Sequence, residues 1–501
     1  MLHRPHFQQR VRRTASLAKA DAHAKTHRAR DIVCVDLDGT LIRTDTLWES
    51  LLLLARSRPW QLLWAVVWLV RGKAYFKDQL AARVRPDAAL LPYRAEVLES
   101  LRELKATGVT LCLTTAADRR VATEVARHLG LFDEVVASDG SINCSGTNKL
   151  AAIRERLGNA RFAYWGDSRA DLPLWEAAHE AGVVGPKTSL WRAVSRVSDR
   201  VRMIAPPVRL MRPLVAALRP HQWAKNLLVL LPVFLAHQWA EIGKLALALL
   251  GVAAFSAAAS SVYIINDLFD IQSDRQHPTK RRRPFAAGDL PVPLGLGLAG
   301  LALAGASTLS VCCLTPDFTN WLAIYLVTTT TYSLWLKKQI VIDVLVLAGL
   351  YTLRIAAGAA AVNVPLSPWL LAFAMFFFLS LALGKRYIEL RRWSGATDDV
   401  LPGRGYQSDD AALLEQIGPT SGYLAVLVLC LYIDSSAVGR LYRHPEFLWL
   451  ACPLLLYWLT RFWLLARRRQ IQYDPVAFAL KDRTSLAVIA CTAATVFLAA
   501  N

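Results

Sequence analysis

Between Tyr263 and Leu290 the chain reads YIINDLFDIQSDRQHPTKRRRPFAAGDL, with four residues of obvious chemical capacity: Asn266, Asp267, Asp270 and Asp274. Spacings of three, four and seven place the three carboxylates on one face of a helix. An apolar run of membrane-helix character precedes them, and carboxylates crowded at the end of such a helix repel one another unless a divalent cation sits among them. Magnesium meets that need, because it takes oxygen ligands, commonly one or two carboxylates plus the oxygens of a phosphate or diphosphate. Lys280, Arg281, Arg282 and Arg283 follow at once. They add positive charge for such an anion and mark the cytoplasmic side of a membrane.

A second constellation lies in the first 200 residues. The stretch DIVCVDLDGT (31–40) is a short apolar run of β type that ends in Asp36, Asp38 and a glycine. A buried parallel strand delivers both aspartates to its carboxyl end, where open α/β sheets bind their ligands. A second apolar run, VTLCLTTA (109–116), ends in threonines; Lys149 follows in a polar stretch; FAYWGDSRAD (162–171) ends a third run in Asp167 and Asp171. Phosphoryl transfer needs an in-line nucleophile, a metal, and cationic or hydrogen-bonding groups around three charged oxygens, and these residue types supply them.

Both constellations resemble known families. The pattern N-D-x-x-D-x-x-x-D followed by RPFAAGDLP is similar to the first aspartate-rich motif of the UbiA superfamily of intramembrane transferases. The resemblance implies that Asn266, Asp267, Asp270 and Asp274 hold Mg²⁺ and a diphosphate, with Asp267 and Asp270 at the catalytic centre. The quartet in the first 200 residues resembles the haloacid dehalogenase (HAD) superfamily of phosphatases. It implies that Asp36 is the nucleophile and that Asp38 is the general acid and then the base. Thr115, or its neighbour Thr114, would hydrogen-bond the phosphoryl oxygens and Lys149 would neutralise them. Asp167 would complete a Mg²⁺ site with Asp36, supported by Asp171.

Most members of the UbiA superfamily carry a second aspartate-rich motif; here that position reads GKRYIELRRW. Together with RPHQWAKN, LKKQIVIDVLVLAGLYTLRIAAG and DPVAFALKDRTS, this departure resembles the decaprenyl-phosphate phosphoribosyltransferase branch. That branch implies phosphoribosyl pyrophosphate as donor and a polyprenyl phosphate as acceptor. Bringing two anions together costs several kcal/mol unless fixed cations offset it. Lys225, Lys337, Lys385 and Arg386 are the candidates for that role. Asp343 is expected to bind the ribose or a second Mg²⁺, Arg354 to reach the same pocket, and Glu389 to touch substrate; Asp474, Lys481 and Arg483 are expected at the cytoplasmic mouth.

Joined in one chain, the two constellations suggest a transferase whose 5-phosphoribosyl lipid product is dephosphorylated by the HAD region, giving polyprenyl-phosphoryl ribose for arabinofuranose donor synthesis. Two rivals are an aromatic prenyltransferase fused to a phosphatase of unrelated substrate, and a transferase carrying a non-catalytic HAD interaction module. An ion pump would carry D-K-T-G-T in a domain inserted between membrane spans, whereas DLDGT precedes every apolar span here.

The chain has 501 residues, a formal charge of +19 and 16 tryptophans, with a mean hydropathy of +0.30. Much of the excess charge lies in short loops between apolar segments, which fits an inner leaflet and phosphorylated substrates rather than nucleic acid. The eight cysteines form no C-x-x-C pair and read as reduced thiols. The expected organisation is a basic arm (1–30), an α/β HAD-like domain with a Rossmann-type parallel sheet (31–200, helical cap about 41–105), a linker carrying Pro206, Pro207 and Pro213 (201–215), and an all-α UbiA-like membrane domain (216–501). Nine transmembrane helices are expected, near 226–240, 245–266, 291–313, 319–335, 341–360, 368–386, 421–437, 446–465 and 484–500. Charge asymmetry between loops puts the N-terminal domain and both sites on the cytoplasmic face of a bacterial plasma membrane. The stretch PWQLLWAVVWLV, with Trp60, Trp64 and Trp68 at helical spacing, is too short to span a bilayer. It either packs inside the cap or dips into the membrane interface.

Overall fold

The computed structural model describes residues 32–500 except 159, 186–187, 208, 394–403 and 472–473; the basic arm lies outside the described residues. The chain forms two compact units: one runs to Ala216 and includes Asp267–Gly295, the other comprises Ala217–Asn266 and the remainder from Leu296.

The first unit is built on six parallel strands: β1 Ile32–Val35, β2 Thr110–Asp118, β3 Glu134–Ser138, β4 Phe162–Gly166, β5 Glu180–Val184 and β6 Val201–Ala205. Their order is β3-β2-β1-β4-β5-β6. Every residue of β1 is buried, as expected of a central strand covered on both faces. Successive side chains alternate between two cores. Val33 and Val35 pack with Leu101, Leu113 and Val125, whereas Ile32 and Cys34 pack with Ile153, Trp175 and Val194. Residues 201–205, expected in the linker, instead pair with β5 as the edge strand. The proline signal belongs to Pro206 and Pro207, which lie just beyond the strand end.

The helices of this unit up to Val197 are α1 Thr46–Ser57, α2 Leu62–Val70, α3 Lys73–Arg83, α4 Ala95–Ala106, α5 Arg119–Leu129, α6 Thr147–Leu157, α7 Leu172–Ala177 and α8 Thr188–Val197. Asp45 starts α1 by accepting hydrogen bonds from the Leu47 and Trp48 amides, which satisfies donors that have no partner within the helix. Helices α1–α3 form the cap around Leu54, Trp68, Phe76 and Leu80. The two readings of the tryptophan stripe divide by residue. Trp68 is buried in the cap with Arg83 4.3 Å above its ring, whereas Trp60 and Trp64 are exposed.

The second unit is helical and belongs to a membrane protein. Seven helices among the described residues are long and apolar enough to cross a bilayer: Ile242–Phe269, Val292–Cys313, Ile342–Ala361, Pro368–Trp393, Asp410–Ile433, Pro445–Arg467 and Arg483–Ala500. The first two extend from the first unit's insert. Two expected spans differ. Residues 226–240 form no continuous helix, but end a 3₁₀ run (Pro220–Leu230) and enter a five-residue helix (Leu231–Leu235). Pro232 has no amide to continue an earlier helix. Pro316–Leu334 is a regular 19-residue helix capped by Thr315, but Asp317 and Asn320, with Thr328–Thr331, make it less apolar than the seven.

Candidate functional site

At the carboxyl end of β1 the backbone turns so that Asp36 is buried. Its Oδ1 accepts from the Leu37 amide at 2.9 Å and from Lys149 Nζ, in the first turn of α6, at 3.1 Å. Lys149 also donates to the Tyr164 hydroxyl at 2.9 Å and lies 3.4 Å from Asp171 Oδ1. The Tyr164 O–H donates to Asp171 at 2.8 Å. Asp167 follows β4 and accepts from Thr40 Oγ1 at 3.4 Å. Gly39, at φ +76°, lets the turn pass this carboxylate, since a Cβ there would meet Asp167 Oδ2 at 2.1 Å.

Asp36, Asp167 and Asp171 each present an oxygen, all within 4.8 Å of one another. That spacing suits a divalent cation bound by oxygen. The electrostatics agree. Burial pushes Asp36 up to about 6 even with Lys149 beside it, and burial plus the neighbouring carboxylates pushes Asp167 up to about 7. Burial also works against the Lys149 charge, but Asp36 and Asp171 outweigh it and hold the ammonium above its ordinary value. Asp38 is raised well above the carboxylate range by burial and by Asp45, although Thr46 donates to it through its amide at 2.8 Å and its hydroxyl at 3.2 Å. A carboxyl held neutral can donate a proton.

The two threonines of β2 are now distinguishable. Thr114 is tied into the sheet, donating to the Val35 carbonyl at 3.3 Å, whereas the Thr115 hydroxyl accepts from the Ala117 amide at 3.0 Å within the same strand. The sequence pattern did not single out Tyr164, Thr46, Lys77 or Arg94. Lys77 donates to the Ala116 carbonyl at 2.6 Å and Arg94 Nε to the Gly39 carbonyl at 3.2 Å. For Tyr164 a signal existed: a phenol in a buried strand needs a polar partner.

These groups open into a pocket of about 550 Å³ lined by Asp36, Asp38, Lys77, Arg94 and Asp167, with Gly288, Asp289 and Pro291 on one wall. That wall follows the aspartate-rich segment and is tied to the cap. Arg43 pairs with Asp289 at 3.1 Å, Arg56 with Asp270 at 2.8 Å, and Arg275 with Glu49 at 2.6 Å. Gly288, at φ +73°, allows the close approach, because a Cβ there would meet the Arg43 Cβ at 2.6 Å.

The aspartate-rich motif itself is arranged differently from the expected set of four metal ligands. Arg283 bridges Asp267 at 3.0 Å and Asp274 at 2.7 Å, while Asp270 turns to Arg56. Asn266 donates to Ser333 Oγ at 2.9 Å within the second unit. Asp267, in the helix Ile242–Phe269, and Asp274, in the separate helix Ile271–Gln276, thus share one cation, and that cation is a guanidinium.

In the second unit Lys225 and Lys385 meet on Asp474, at 3.2 Å and 3.3 Å. Burial alone would raise the Asp474 carboxyl, but the two ammonium groups outweigh it and hold it well below the usual carboxylate range. Expected to hold a phosphate, Arg386 is wholly buried, paired with the equally buried Asp343 at 2.8 Å and with Glu389. Asp343, expected at the ribose or a second metal, also accepts from the Tyr406 hydroxyl at 2.6 Å. Two opposite charges taken out of water together offset part of each other's desolvation cost. Arg354 is buried too, donating to Asn226 at 2.9 Å with Tyr325 4.8 Å below it. Lys337 sits half-buried in the 3₁₀ turn Leu336–Lys338, and Lys481 and Arg483 are exposed on either side of Asp482.

Comparison with known proteins agrees with both halves of this description. The UbiA prenyltransferase family profile matches residues 227–486. The chain belongs to the UbiA family. The haloacid dehalogenase-like hydrolase profile matches residues 33–176, so this UbiA protein carries an N-terminal HAD-like domain. Over 91% of its length it is 36% identical to the uncharacterized protein y4nM of Sinorhizobium fredii, covering 88% of that protein. It is also 36% identical over 54% of its length to nodulation protein NoeC of Azorhizobium caulinodans, covering 88% of it. Decaprenyl-phosphate phosphoribosyltransferase of Mycolicibacterium smegmatis is 40% identical over 193 residues, which is 37% of this chain and 59% of that enzyme.

Proposed function

We propose that this UbiA-family protein is a bifunctional, Mg²⁺-dependent enzyme that ribosylates a polyprenyl phosphate and then removes the 5-phosphate from the product. The observation that carries the reading is the juxtaposition, in one chain, of a stretch 40% identical to decaprenyl-phosphate phosphoribosyltransferase and a complete set of phosphatase groups around Asp36. In the first reaction a phosphate oxygen of the lipid forms a bond to the anomeric carbon of phosphoribosyl pyrophosphate. The bond from that carbon to the pyrophosphate oxygen breaks, and pyrophosphate leaves with the electron pair. Asp267, Asp270, Asp274 and Asn266 would hold the leaving diphosphate with Mg²⁺, which would require Arg283 to give up Asp267 and Asp274. Lys225 and Lys385 are the favoured phosphate ligands, since two ammonium groups on one carboxylate leave net positive charge.

In the second reaction Asp36 attacks the 5-phosphoryl group. Its Oδ1 is held by Leu37 and Lys149, and Oδ2 would make the attack. The bond between phosphorus and the 5-oxygen breaks as Asp38 protonates that oxygen, and Asp38 then takes a proton from the water that releases inorganic phosphate from Asp36. Mg²⁺ on Asp36 and Asp167, steadied by Asp171, would offset the charge on the phosphoryl oxygens. Lys149 and Thr115 would supply further positive charge and a hydrogen bond. The product would be polyprenyl-phosphoryl ribose, a precursor for arabinofuranose donors.

In this reading the 3₁₀ region at 220–235 and the helix Pro316–Leu334 enter the bilayer with the seven more apolar helices, giving nine membrane segments. The basic groups Lys280–Arg283, Lys337–Lys338, Lys385–Arg386 and Arg467–Arg469 would then lie on the cytoplasmic side with both active sites. The test is to incubate purified protein in detergent with phosphoribosyl pyrophosphate, Mg²⁺ and a short polyprenyl phosphate, and to weigh the lipids by mass spectrometry. Wild type should give the dephosphorylated ribosyl lipid, Asp36→Asn the 5-phosphate form, and Asp267→Asn neither. Absence of any ribosylated lipid overturns the transfer, and an Asp36→Asn product identical to wild type overturns the assigned phosphatase substrate.

A further inference from the structure

We propose that the cap helix Pro59–Val70 is an interfacial anchor that seats the phosphatase pocket on an anionic lipid surface. Six of its large side chains, Trp60, Leu63, Trp64, Val66, Leu69 and Val70, are 52–83% exposed. Such a run of exposed apolar groups exceeds the scatter of single surface hydrophobes that needs no explanation. The helix is held in place rather than frayed: Trp68 is buried among Leu54, Phe76 and Leu80, under the Arg83 guanidinium. The opposite face is therefore presented by a fixed element.

Two further observations select lipid as the occupant. Arg58, Arg71 and Lys73 flank the apolar stretch and are exposed, which complements an anionic headgroup layer. The 12 residues from Pro59 to Val70 extend about 18 Å at 1.5 Å per residue, too short for a hydrocarbon core of about 30 Å. A helix of that length with apolar body and basic ends lies along an interface. Tryptophans suit this position, one edge being apolar and the other able to hydrogen-bond.

The consequence for chemistry follows from the cap's own connections. The chain of α3, packed on the same cluster as the anchor, carries Lys77 into the pocket, and α1 brings Thr46 to Asp38. An anchor on this cap holds the pocket at headgroup level, where a lipid-borne phosphate monoester is found. This part rests on the phosphatase assignment made above; the anchoring itself does not.

The test uses the full chain in lipid nanodiscs, with and without phosphatidylglycerol, after replacement of the exposed Cys312, Cys313 and Cys491. Nitroxides are placed at Leu63→Cys, at Val66→Cys and, as a control, at Ser141→Cys on an exposed loop. Collision with oxygen should exceed collision with a water-soluble nickel chelate several-fold at positions 63 and 66, more so with phosphatidylglycerol, with the reverse at 141. Equal nickel access at all three overturns the anchor. Shielding from both reagents, together with a doubled particle mass, assigns the face to a second copy and also overturns it. The triple variant Trp60→Gln, Leu63→Gln, Val70→Gln should hydrolyse a lipid-linked phosphoribosyl substrate in nanodiscs at least tenfold more slowly, with p-nitrophenyl phosphate turnover within twofold of wild type. Equal lipid turnover overturns the positioning role. If wild type leaves the lipid substrate intact but turns over p-nitrophenyl phosphate, the assigned substrate fails while the collision result still decides the anchor.

Discussion

Removing either partner of the Glu49–Arg275 pair should release the segment after the aspartate-rich motif from the cap. The side chains are 1% and 5% exposed, and Arg275 grips both carboxylate oxygens, at 2.6 Å and 2.9 Å. Its Nε also donates to the Ala286 carbonyl at 2.9 Å, so one guanidinium ties the helix Ile271–Gln276, the loop at Ala286 and α1 together. Deleting one partner leaves the other charge buried without compensation, which costs about 3–5 kcal/mol. At about 1.4 kcal/mol per factor of ten, the lower figure is already a change of more than 100-fold in an opening constant. The assay is amide hydrogen exchange across residues 271–290 in the full protein. Arg275→Met and Glu49→Met should each lose about 100-fold or more of protection there, with β1 and β4 unaffected. The double variant should regain most of it, because an apolar pair in place of a buried ion pair is close to neutral. Protection within threefold of wild type in the single variants, or a double variant as poor as the sum of both, would refute this account of the docking.

Tyr164→Phe removes the hydroxyl shared by Lys149 and Asp171. A buried partner left short costs about 1–3 kcal/mol, so phosphatase turnover should fall roughly tenfold or more while circular dichroism stays unchanged. Arg386→Met leaves the buried Asp343 with the Tyr406 hydroxyl but without its countercharge, and should lower the thermal midpoint steeply; a normal midpoint with a raised KM for phosphoribosyl pyrophosphate would instead assign Arg386 to the substrate. Asp474 is held below its ordinary value, so its pairing with Lys225 and Lys385 stabilises the fold at pH above roughly 4, and that stability is lost as pH falls through the folded-state value. The thermal midpoint of Asp474→Asn should accordingly be lower than wild type at pH 7 and converge with it in acid.

Much of the phosphatase half was legible in the chain itself. Buried parallel strands are written as short apolar runs, and residues at their carboxyl ends converge whatever the loops between them do. Asp36, Asp167 and Asp171 were therefore identifiable from the strands, Lys149 was marked by the family resemblance, and the structure brings all four together. Local spacing put Asp267 and Asp274 on one helix face, whereas the helix breaks at Asp270 and the two meet at Arg283 from separate helices. The membrane helices were legible by length and apolarity, with Pro232 and the Thr328–Thr331 run marking where that signal weakens.

What only the tertiary structure decided is how the charges pair. Lys385 and Arg386 are adjacent in sequence and equally cationic, yet one shares Asp474 with Lys225 near the surface and the other is sealed against Asp343. Consecutive residues on a helix point about 100° apart, so neighbours in sequence enter different surroundings, and the packing of other helices determines which is buried. The same holds for Tyr164, whose hydroxyl has a role only because α6 and the turn after β4 arrive beside it. Trp60 and Trp68 share a helical stripe, but only Trp68 meets the cap core. Sequence specifies which groups a chain possesses and the period at which they recur; desolvation and partner choice depend on long-range contacts that no local spacing encodes.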